Sequence, residues 1–214
     1  DPLRETTPYL EKANSRGAKI KYVFLTHFHA DFVSGHVDLA RKTNSTIVFG
    51  PSAKTDYSCH IAKDQEEFTI GKIKIRAIHT PGHTPESTTY LLIDENGNNH
   101  AIFTGDTLFS LGCGRIFEGT YEQMFASLNK IKSLPEDTKI YCGHEYTLQN
   151  SKFCIKHDPA NLNLQKKIID IKKKLENNTP SIPSTLKDEI ECNIFLRANN
   201  IESFSKLRDL KDNF

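Results

Sequence analysis

Short blocks of hydrophobic residues, most of them ended by Gly, Pro or Asn, follow one another along the chain before Thr120. The segment 19–26 (KIKYVFLT) is rich in β-branched and aromatic residues and stops at a His-rich stretch, which predicts a buried strand. Similar blocks predict strands at residues 46–49, 67–70, 72–78, 87–93, 101–103 and 138–142, with hairpin turns at Gly71 and Asn96-Gly97. The pattern indicates a mostly β structure, with one short helix at 36–42.

A helical period replaces this pattern after Thr120. The segment Thr120-Tyr121-Glu122-Gln123 has the form of a capped helix start and predicts a helix that runs to about residue 133. Apolar side chains later recur at helical spacing among lysines, at Leu164, Ile168, Ile171 and Leu175, and residues 201–210 predict a further helix. We therefore expect a mixed, β-rich domain over residues 1–158 and a small helical module over residues 159–214.

Composition narrows the classes of partner. Of the 214 residues, 28 are Lys or Arg and 27 are Asp or Glu, so the formal net charge of +1 gives no electrostatic case for nucleic acid or an anionic membrane. No apolar run approaches the roughly 18 residues that a membrane-spanning helix needs. The five cysteines are odd in number and form no Cys-x-x-Cys pair, which argues against a disulfide framework. We expect a cytoplasmic protein without a membrane or nucleic-acid partner.

The first strand delivers a cluster of metal-binding residue types. His27 and His29 are two residues apart directly after the strand, where extended backbone points alternate side chains the same way, and Asp31 continues the register. Two imidazoles and a carboxylate aimed at one point suit a divalent cation such as zinc or iron. A His-x-His pair alone is weak evidence, because exposed histidines recur by chance.

Three later segments repeat this arrangement. His83 lies in the turn Thr80-Pro81-Gly82-His83-Thr84, Asp106 follows the strand at 101–103, and His144 follows the strand at 138–142. Most of these donors stand beside a glycine, which permits close approach of the backbone. Four strand ends that each carry a donor predict a metal site composed of His27, His29, Asp31, His83, Asp106 and His144.

These six residues, in this order, resemble the metallo-β-lactamase superfamily. The resemblance spans nearly the whole chain and implies an α+β fold, an αββα sandwich of two face-to-face sheets with helices outside, followed by a C-terminal helical module. Within the superfamily, residues 26–36 (THFHADFVSGH) and 86–90 (ESTTY) resemble persulfide dioxygenases. Residues 105–109 (GDTLF), 112–120 (GCGRIFEGT), 141–147 (YCGHEYT) and 183–186 (PSTL) resemble glyoxalase II, the hydroxyacylglutathione hydrolase.

The glyoxalase II resemblance implies an enzyme of methylglyoxal detoxification. It would hydrolyse a glutathione thioester such as S-lactoylglutathione to lactate and glutathione, using metal-bound hydroxide that Asp31 orients and whose proton it transfers. The substrate-binding residues that match are Arg115, Tyr146, Arg208 and Lys211, with Phe117 at a position where the family often has a tyrosine. The only partner that this resemblance implies is a small glutathione conjugate, and we expect a monomer.

Position 32 departs from the glyoxalase II pattern. That family carries a histidine directly after the aspartate of the first motif, where it helps to hold a second metal, and this chain has Phe32. The resemblance implies a first site of His27, His29, His83 and Asp106, and a second site of only Asp31, His144 and the bridging Asp106. The number and identity of the metals therefore stay open between one or two Zn²⁺ ions and Fe²⁺.

Two alternative functions follow from the same residues. Phe32 is compatible with a glutathione persulfide dioxygenase, whose single iron would be held by His27, His83 and Asp106. The resemblance also places Asp1-Pro2 after the first strands of one sheet, so we expect those strands to be missing. A sheet without them exposes edges and core, and the chain would then be an inactive metal- or glutathione-binding remnant.

Overall fold

The computed structural model describes all of residues 1–214 and contains seven helices and eleven strands. The helices are α1 Thr7–Ser15, α2 His36–Thr43, α3 Tyr121–Lys132, α4 Thr147–His157, α5 Leu162–Glu176, α6 Leu186–Cys192 and α7 Ile201–Asp212. The strands are β1 Tyr22–Phe24, β2 Thr46–Phe49, β3 His60–Ile61, β4 Glu67–Ile70, β5 Ile73–His79, β6 Thr88–Ile93, β7 Asn99–Gly105, β8 Leu108–Phe109, β9 Gly112–Cys113, β10 Lys139–Cys142 and β11 Ser184–Thr185. None of the helices is both long and apolar enough to cross a membrane.

The strands form two main sheets. Strands β1, β2 and β3 make a parallel three-stranded sheet. The larger sheet has the order β11-β10-β7-β6-β5-β4, and β8 pairs with β9 in a separate ribbon. Strand β6 lies inside the larger sheet and is buried along almost its whole length, as expected for a strand that is covered on both faces.

Three hydrophobic clusters show how the layers pack. Along β1, Val23 faces a cluster that includes Leu39 of α2, whereas its neighbours Tyr22 and Phe24 pack on a cluster shared with the larger sheet. This alternation follows from the two-residue period of a strand. The largest cluster joins the other face of the larger sheet to the helices from α3 to α7. The layers are therefore helix, sheet, sheet and helix, as the family resemblance implies.

Strand directions bring the ends of several strands to one edge. Strands β5 and β7 are both antiparallel to β6, and β10 is parallel to β7. The chain therefore leaves β5, β7 and β10 at the same edge of the larger sheet. The segment after β1 reaches this edge too, because the Thr88 amide donates to the Thr26 carbonyl at 2.8 Å.

The sequence prediction missed some elements and shortened others. Helix α1 was not predicted, and the reason is that it buries none of its residues and so shows no strong apolar face. The two-residue strands β3, β8, β9 and β11 are too short to show a period. Strand β7 extends beyond the predicted 101–103, since its outer residues include the polar Asn99 and the glycine at 105.

Candidate metal centre and substrate cavity

Two glycines allow the strand ends to approach each other at this edge. Gly105 has a φ of +48°, and a Cβ there would lie 2.5 Å from Thr26 Oγ1. A Cβ on Gly143 would lie 2.5 Å from Asp106 Oδ1. A side chain at either position would push apart the segments that carry the predicted donors.

Three of the predicted donors form a compact group. One ligand atom each of His27, His83 and Asp106 lies within 4.8 Å of the others, and both histidines are buried. His83 Nε2 is 3.7 Å from Asp106 Oδ2. Two imidazoles and a carboxylate at this spacing fit the donor set of zinc or of non-haem iron.

Hydrogen bonds set which nitrogen of each histidine is free. His83 Nδ1 lies 3.0 Å from the Arg115 carbonyl oxygen, which can only accept, so Nδ1 carries the proton and Nε2 keeps its lone pair. His27 Nδ1 lies 2.9 Å from Thr26 Oγ1, which itself donates to Asp1 Oδ2 at 2.7 Å. The hydroxyl therefore accepts from His27, and this histidine too presents an unprotonated Nε2. Such outer hydrogen bonds orient metal-binding histidines.

His29 stands beside the compact group. Its ring centroid is 4.1 Å from that of His27, and its Nε2 is 3.0 Å from Asp1 Oδ1 without hydrogen-bond alignment. Both ring nitrogens are buried and have no hydrogen-bond partner. A buried imidazole without partners is costly unless another ligand satisfies it. This orphaned ring fits a metal site and supports His29 as a further donor.

Asp31 and His144 form a second, more open set with Asp106. His144 Nε2 is 3.3 Å from Asp31 Oδ2 and 3.6 Å from Asp106 Oδ2. The side chain of Asp31 is 50% exposed, in contrast to 14% for Asp106. Phe32, the residue after Asp31, has no side-chain donor atom, and its ring packs on His29.

Burial sets the charge state of the centre. Burial, with smaller contributions from His29 and His83, lowers the pKa of His27 to about 3, and burial also lowers the pKa of His29. These imidazoles are neutral at neutral pH, which is the form that binds a metal. Burial raises the pKa of Asp106, and the nearby His144 and His83 oppose that rise.

Five of the six predicted metal donors, all except His29, line a cavity of about 770 Å³, and every predicted substrate-binding residue lines it too. Arg115 is largely exposed, with its Nε 3.8 Å from Asp212 Oδ1. The Nζ of Lys211, on α7, lies about 5 Å from the ring centroids of Phe153 and Phe214. Burial lowers the pKa of Lys211. Two cationic groups from separate segments therefore share one cavity with the donors.

Arg208 differs from the other two cations because it is almost completely buried, at 3% exposure. Its Nη1 donates to the Cys113 carbonyl at 2.9 Å, and its Nη2 donates to Asp212 Oδ1 at 2.9 Å. Only Nε lacks a partner. Nη1 therefore fastens α7 to the segment that holds Cys113, whereas Nη2 bonds within α7. Direct binding of substrate by Arg208 stays a prediction.

The two predicted aromatic residues flank the donors. Tyr146 stacks on His144 with 4.8 Å between ring centroids and 10° between planes. Phe117 is 66% exposed and packs edge-on against His83 at 5.1 Å. Both rings help to restrict the orientation of an imidazole, and both line the cavity.

Sequence reasoning missed two carboxylates that shape the centre. Asp1 accepts from the Thr26 amide and hydroxyl, both at 2.7 Å. Glu86, only 5% exposed, accepts from the Phe28 amide at 2.9 Å and so supports the segment between His27 and His29. Nothing local in the sequence marks these partners, since Glu86 is 58 positions from Phe28.

Two family models cover the chain. The metallo-beta-lactamase superfamily matches residues 1–144, and the hydroxyacylglutathione hydrolase C-terminus matches residues 145–214. A hydroxyacylglutathione hydrolase of Pelagibacter ubique is 49% identical over 212 residues, which are 98% of this chain and 87% of that protein. The chain belongs to the hydroxyacylglutathione hydrolase family of the metallo-beta-lactamase superfamily. Both the predicted family and the predicted fold class are confirmed.

A second hydroxyacylglutathione hydrolase agrees with the family assignment, and two solved structures share the fold. The Arabidopsis thaliana protein named hydroxyacylglutathione hydrolase cytoplasmic is 40% identical over 97% of this chain and 81% of its own length. A metallo-beta-lactamase structure from Staphylococcus aureus superposes with a TM-score of 0.75 at 30% identity. The match covers 97% of this chain and 58% of the longer Staphylococcus aureus chain. The structure of ETHE1 from Myxococcus xanthus has a TM-score of 0.72, covering 98% of this chain and 77% of its own, but its 24% identity shows the fold alone.

Proposed function

We propose that this protein hydrolyses glutathione thioesters, such as S-lactoylglutathione, to a carboxylic acid and glutathione. One observation carries the proposal: a single cavity of about 770 Å³ joins the metal donors to the cations Arg115 and Lys211. Lys211 belongs to the segment that matches the hydroxyacylglutathione hydrolase C-terminus. The cavity therefore combines a hydrolytic centre with groups that suit the carboxylates of glutathione.

We propose His27, His83 and Asp106 as the tight binding set for one divalent cation, with His29 as the fourth donor. Asp31 and His144 share Asp106 in a weaker second set, because one member is half exposed and Phe32 supplies no donor. The donors suit Zn²⁺ and Fe²⁺ alike. The chemistry that such a cation supplies is the activation of water at neutral pH and the polarisation of the thioester carbonyl.

Asp31 is the proposed proton-transfer group. Its carboxylate lies at the open side of the centre, beside His144, and reaches the cavity. From there it accepts a hydrogen bond, and then a proton, from the attacking water. The water oxygen bonds to the thioester carbon, the carbon–sulfur bond breaks, and the departing glutathione sulfur takes up the proton that Asp31 holds. The half-exposed Asp31 carboxylate can exchange protons with solvent between turnovers.

The other residues bind and orient the substrate. Lys211 and Arg115 pair with glutathione carboxylates, and the exposed Tyr146 offers its hydroxyl as a further hydrogen-bond partner. Arg208 holds α7 against Cys113 and so keeps Lys211 at the cavity wall. All five cysteines are free thiols, which supports a reducing compartment and the proposed cytoplasmic location.

Release of free thiol from S-lactoylglutathione tests the proposal. Protein loaded separately with Zn²⁺, Fe²⁺ or Mn²⁺ should release glutathione far faster than buffer, and His83→Ala should remove this activity. The matched control is His100→Ala, a histidine of β7 outside the cavity, which should retain the activity. Hydrolysis of the thioester no faster than in buffer, with each of the three metals, would overturn the proposal.

A second candidate is oxygen-dependent oxidation of glutathione persulfide on a single Fe²⁺. The observation that favours it is the compact set of two histidines and one carboxylate, His27, His83 and Asp106. Oxygen consumption by the Fe²⁺ form, mixed with glutathione persulfide, would support this candidate. A flat oxygen trace from protein that hydrolyses the thioester would exclude it.

A further inference from the structure

Phe28 places an exposed aromatic ring on the cavity wall beside the metal donors. The residue is 41% exposed, although it stands between the donors His27 and His29 in the chain. Its neighbours in the same loop, Ala30 and Asp31, also line the cavity. The Phe28 ring is therefore available to a ligand in the cavity, together with the rings of Phe117 and Tyr146 that flank the donors.

Two contacts hold the Phe28 ring in this position. The ring packs on that of Phe49, with 4.7 Å between centroids and 35° between planes. The Phe28 amide donates to the buried carboxylate of Glu86 at 2.9 Å. Phe49 is 1% exposed and so provides a fixed base for the ring. The cavity wall at Phe28 is therefore preorganised, which lowers the entropic cost of binding a ligand there.

The position of the ring relative to the other groups decides what it can touch. Under the proposed function, the thioester carbon lies at the metal donors and the glutathione carboxylates lie at Lys211 and Arg115. Those cations belong to α7 and to the segment after β9, whereas Phe28 belongs to the loop after β1. The acyl group, the other half of the substrate, is therefore the part that we place against the loop after β1. Ala30, which lines the cavity in the same loop, adds only a methyl group to this wall.

We infer that Phe28 selects glutathione thioesters whose acyl group carries an aromatic ring. This inference rests on the proposed function and deepens it by naming the substrate class. Offset or edge-on contact between two aromatic rings adds stabilisation beyond that from the burial of apolar surface. A phenyl substituent next to the carbonyl would pack on the exposed face of Phe28, whereas the methyl group of a lactoyl thioester is too small to cover it.

A pair of matched substrates tests the inference. S-mandeloylglutathione and S-lactoylglutathione both carry a hydroxyl beside the carbonyl and differ in a phenyl against a methyl group. We expect the wild-type protein to have a kcat/KM about tenfold higher for the mandeloyl thioester, a ratio within the range of one good aromatic contact. Phe28→Ala should remove this preference, and Phe28→Leu should retain part of it.

Two further variants separate selectivity from damage to the loop. Val33→Ala removes another exposed apolar side chain of the same loop, one that does not line the cavity, and should keep the mandeloyl preference. Glu86→Gln retains an oxygen that can accept from the Phe28 amide and should keep it too. The unfolding midpoint and metal content of Phe28→Ala report whether the variant is folded and loaded.

The outcomes distinguish the inference from the function on which it rests. Equal kcat/KM for both thioesters in the wild type, or an unchanged ratio in folded Phe28→Ala, would overturn the selectivity and leave the hydrolase intact. Failure to hydrolyse either thioester would overturn the proposed function and the inference with it.

Discussion

The ring of Phe32 packs on the ring of His29, with 4.4 Å between their centroids. Phe32 directly follows Asp31, at a position where a histidine would place a further nitrogen beside the open donor set. The aromatic ring instead covers one side of His29, whose own nitrogens are already buried. The missing nitrogen at position 32 is the structural reason for expecting one tightly held metal in place of two equal ones.

Replacing Phe32 by histidine should increase the metal content of the protein. The new imidazole would add a donor to Asp31, His144 and Asp106, and each added ligand makes a weak site tighter. After dialysis against metal-free buffer, elemental analysis should find about one metal per chain in the wild type and nearly two in Phe32→His. Phe32→Leu, which adds no donor, should remain near one. Two firmly held metals in the wild type would contradict this account.

Asp31→Asn should slow the reaction without emptying the tight site. The amide keeps the size of the side chain but cannot accept a proton, so kcat should fall about 100-fold, as for other lost proton-transfer groups. The tight donors His27, His83 and Asp106 are unchanged, so one metal should still be retained. Steady-state kinetics and elemental analysis of the same sample measure both quantities. A kcat within twofold of the wild type would remove Asp31 from the mechanism.

Lys211 and Arg208 should affect different properties although they lie one turn apart on α7. Lys211→Met should raise KM for the thioester about tenfold, because it removes a charged contact worth roughly 1.5 kcal/mol. Arg208→Met leaves the Cys113 carbonyl without its donor and should lower the free energy of unfolding by about 2 kcal/mol. Kinetics and urea denaturation of both variants measure the two effects. A stable Arg208→Met variant with only a raised KM would show that Arg208 binds substrate directly.

The metal-free protein should lose stability as the pH falls below about 6.5. Burial holds the pKa of His27 near 3, and that of His29 below its ordinary 6.5. Between pH 6.5 and the folded values the unfolded chain binds more protons, so the free energy of unfolding decreases as pH falls. The slope should reach about 1.4 kcal/mol per pH unit for each histidine. Urea denaturation from pH 7 to pH 4.5 measures this slope, and His27→Gln should reduce it. A stability that does not change with pH over this range would contradict the proposed burial of neutral imidazoles.

Much of the centre could be predicted because its donors are tied to local patterns. His27, His83, Asp106 and His144 each follow a block of strand-forming residues, and parallel strand ends meet at one edge of a sheet. The four-layer fold was likewise predictable from the family resemblance that these residues carry. The assignment of roles within the cavity, and the domain boundary at residue 158, stay predictions.

The rest depends on contacts that no local pattern reveals. Asp1 supports His27 through Thr26, and Glu86 supports Phe28, across separations of 25 and 58 positions. The family resemblance predicts that Arg208 binds substrate, but no local pattern reveals that its guanidinium donates to a backbone carbonyl 95 positions away. Helix α1 buries none of its residues and so carried no strong periodic signal. Hydrogen-bond partners and packing of this kind are set by tertiary structure.

The central claim is that this cavity hydrolyses a glutathione thioester, and the most direct measurement follows both products of one reaction. Protein carrying one Zn²⁺ or Fe²⁺ per chain is mixed with S-lactoylglutathione, and lactate and free glutathione are quantified together. The account predicts equal amounts of the two products, formed far faster than in buffer and no longer formed after a chelator removes the metal. Metal-loaded, folded protein that forms neither product faster than buffer would contradict it.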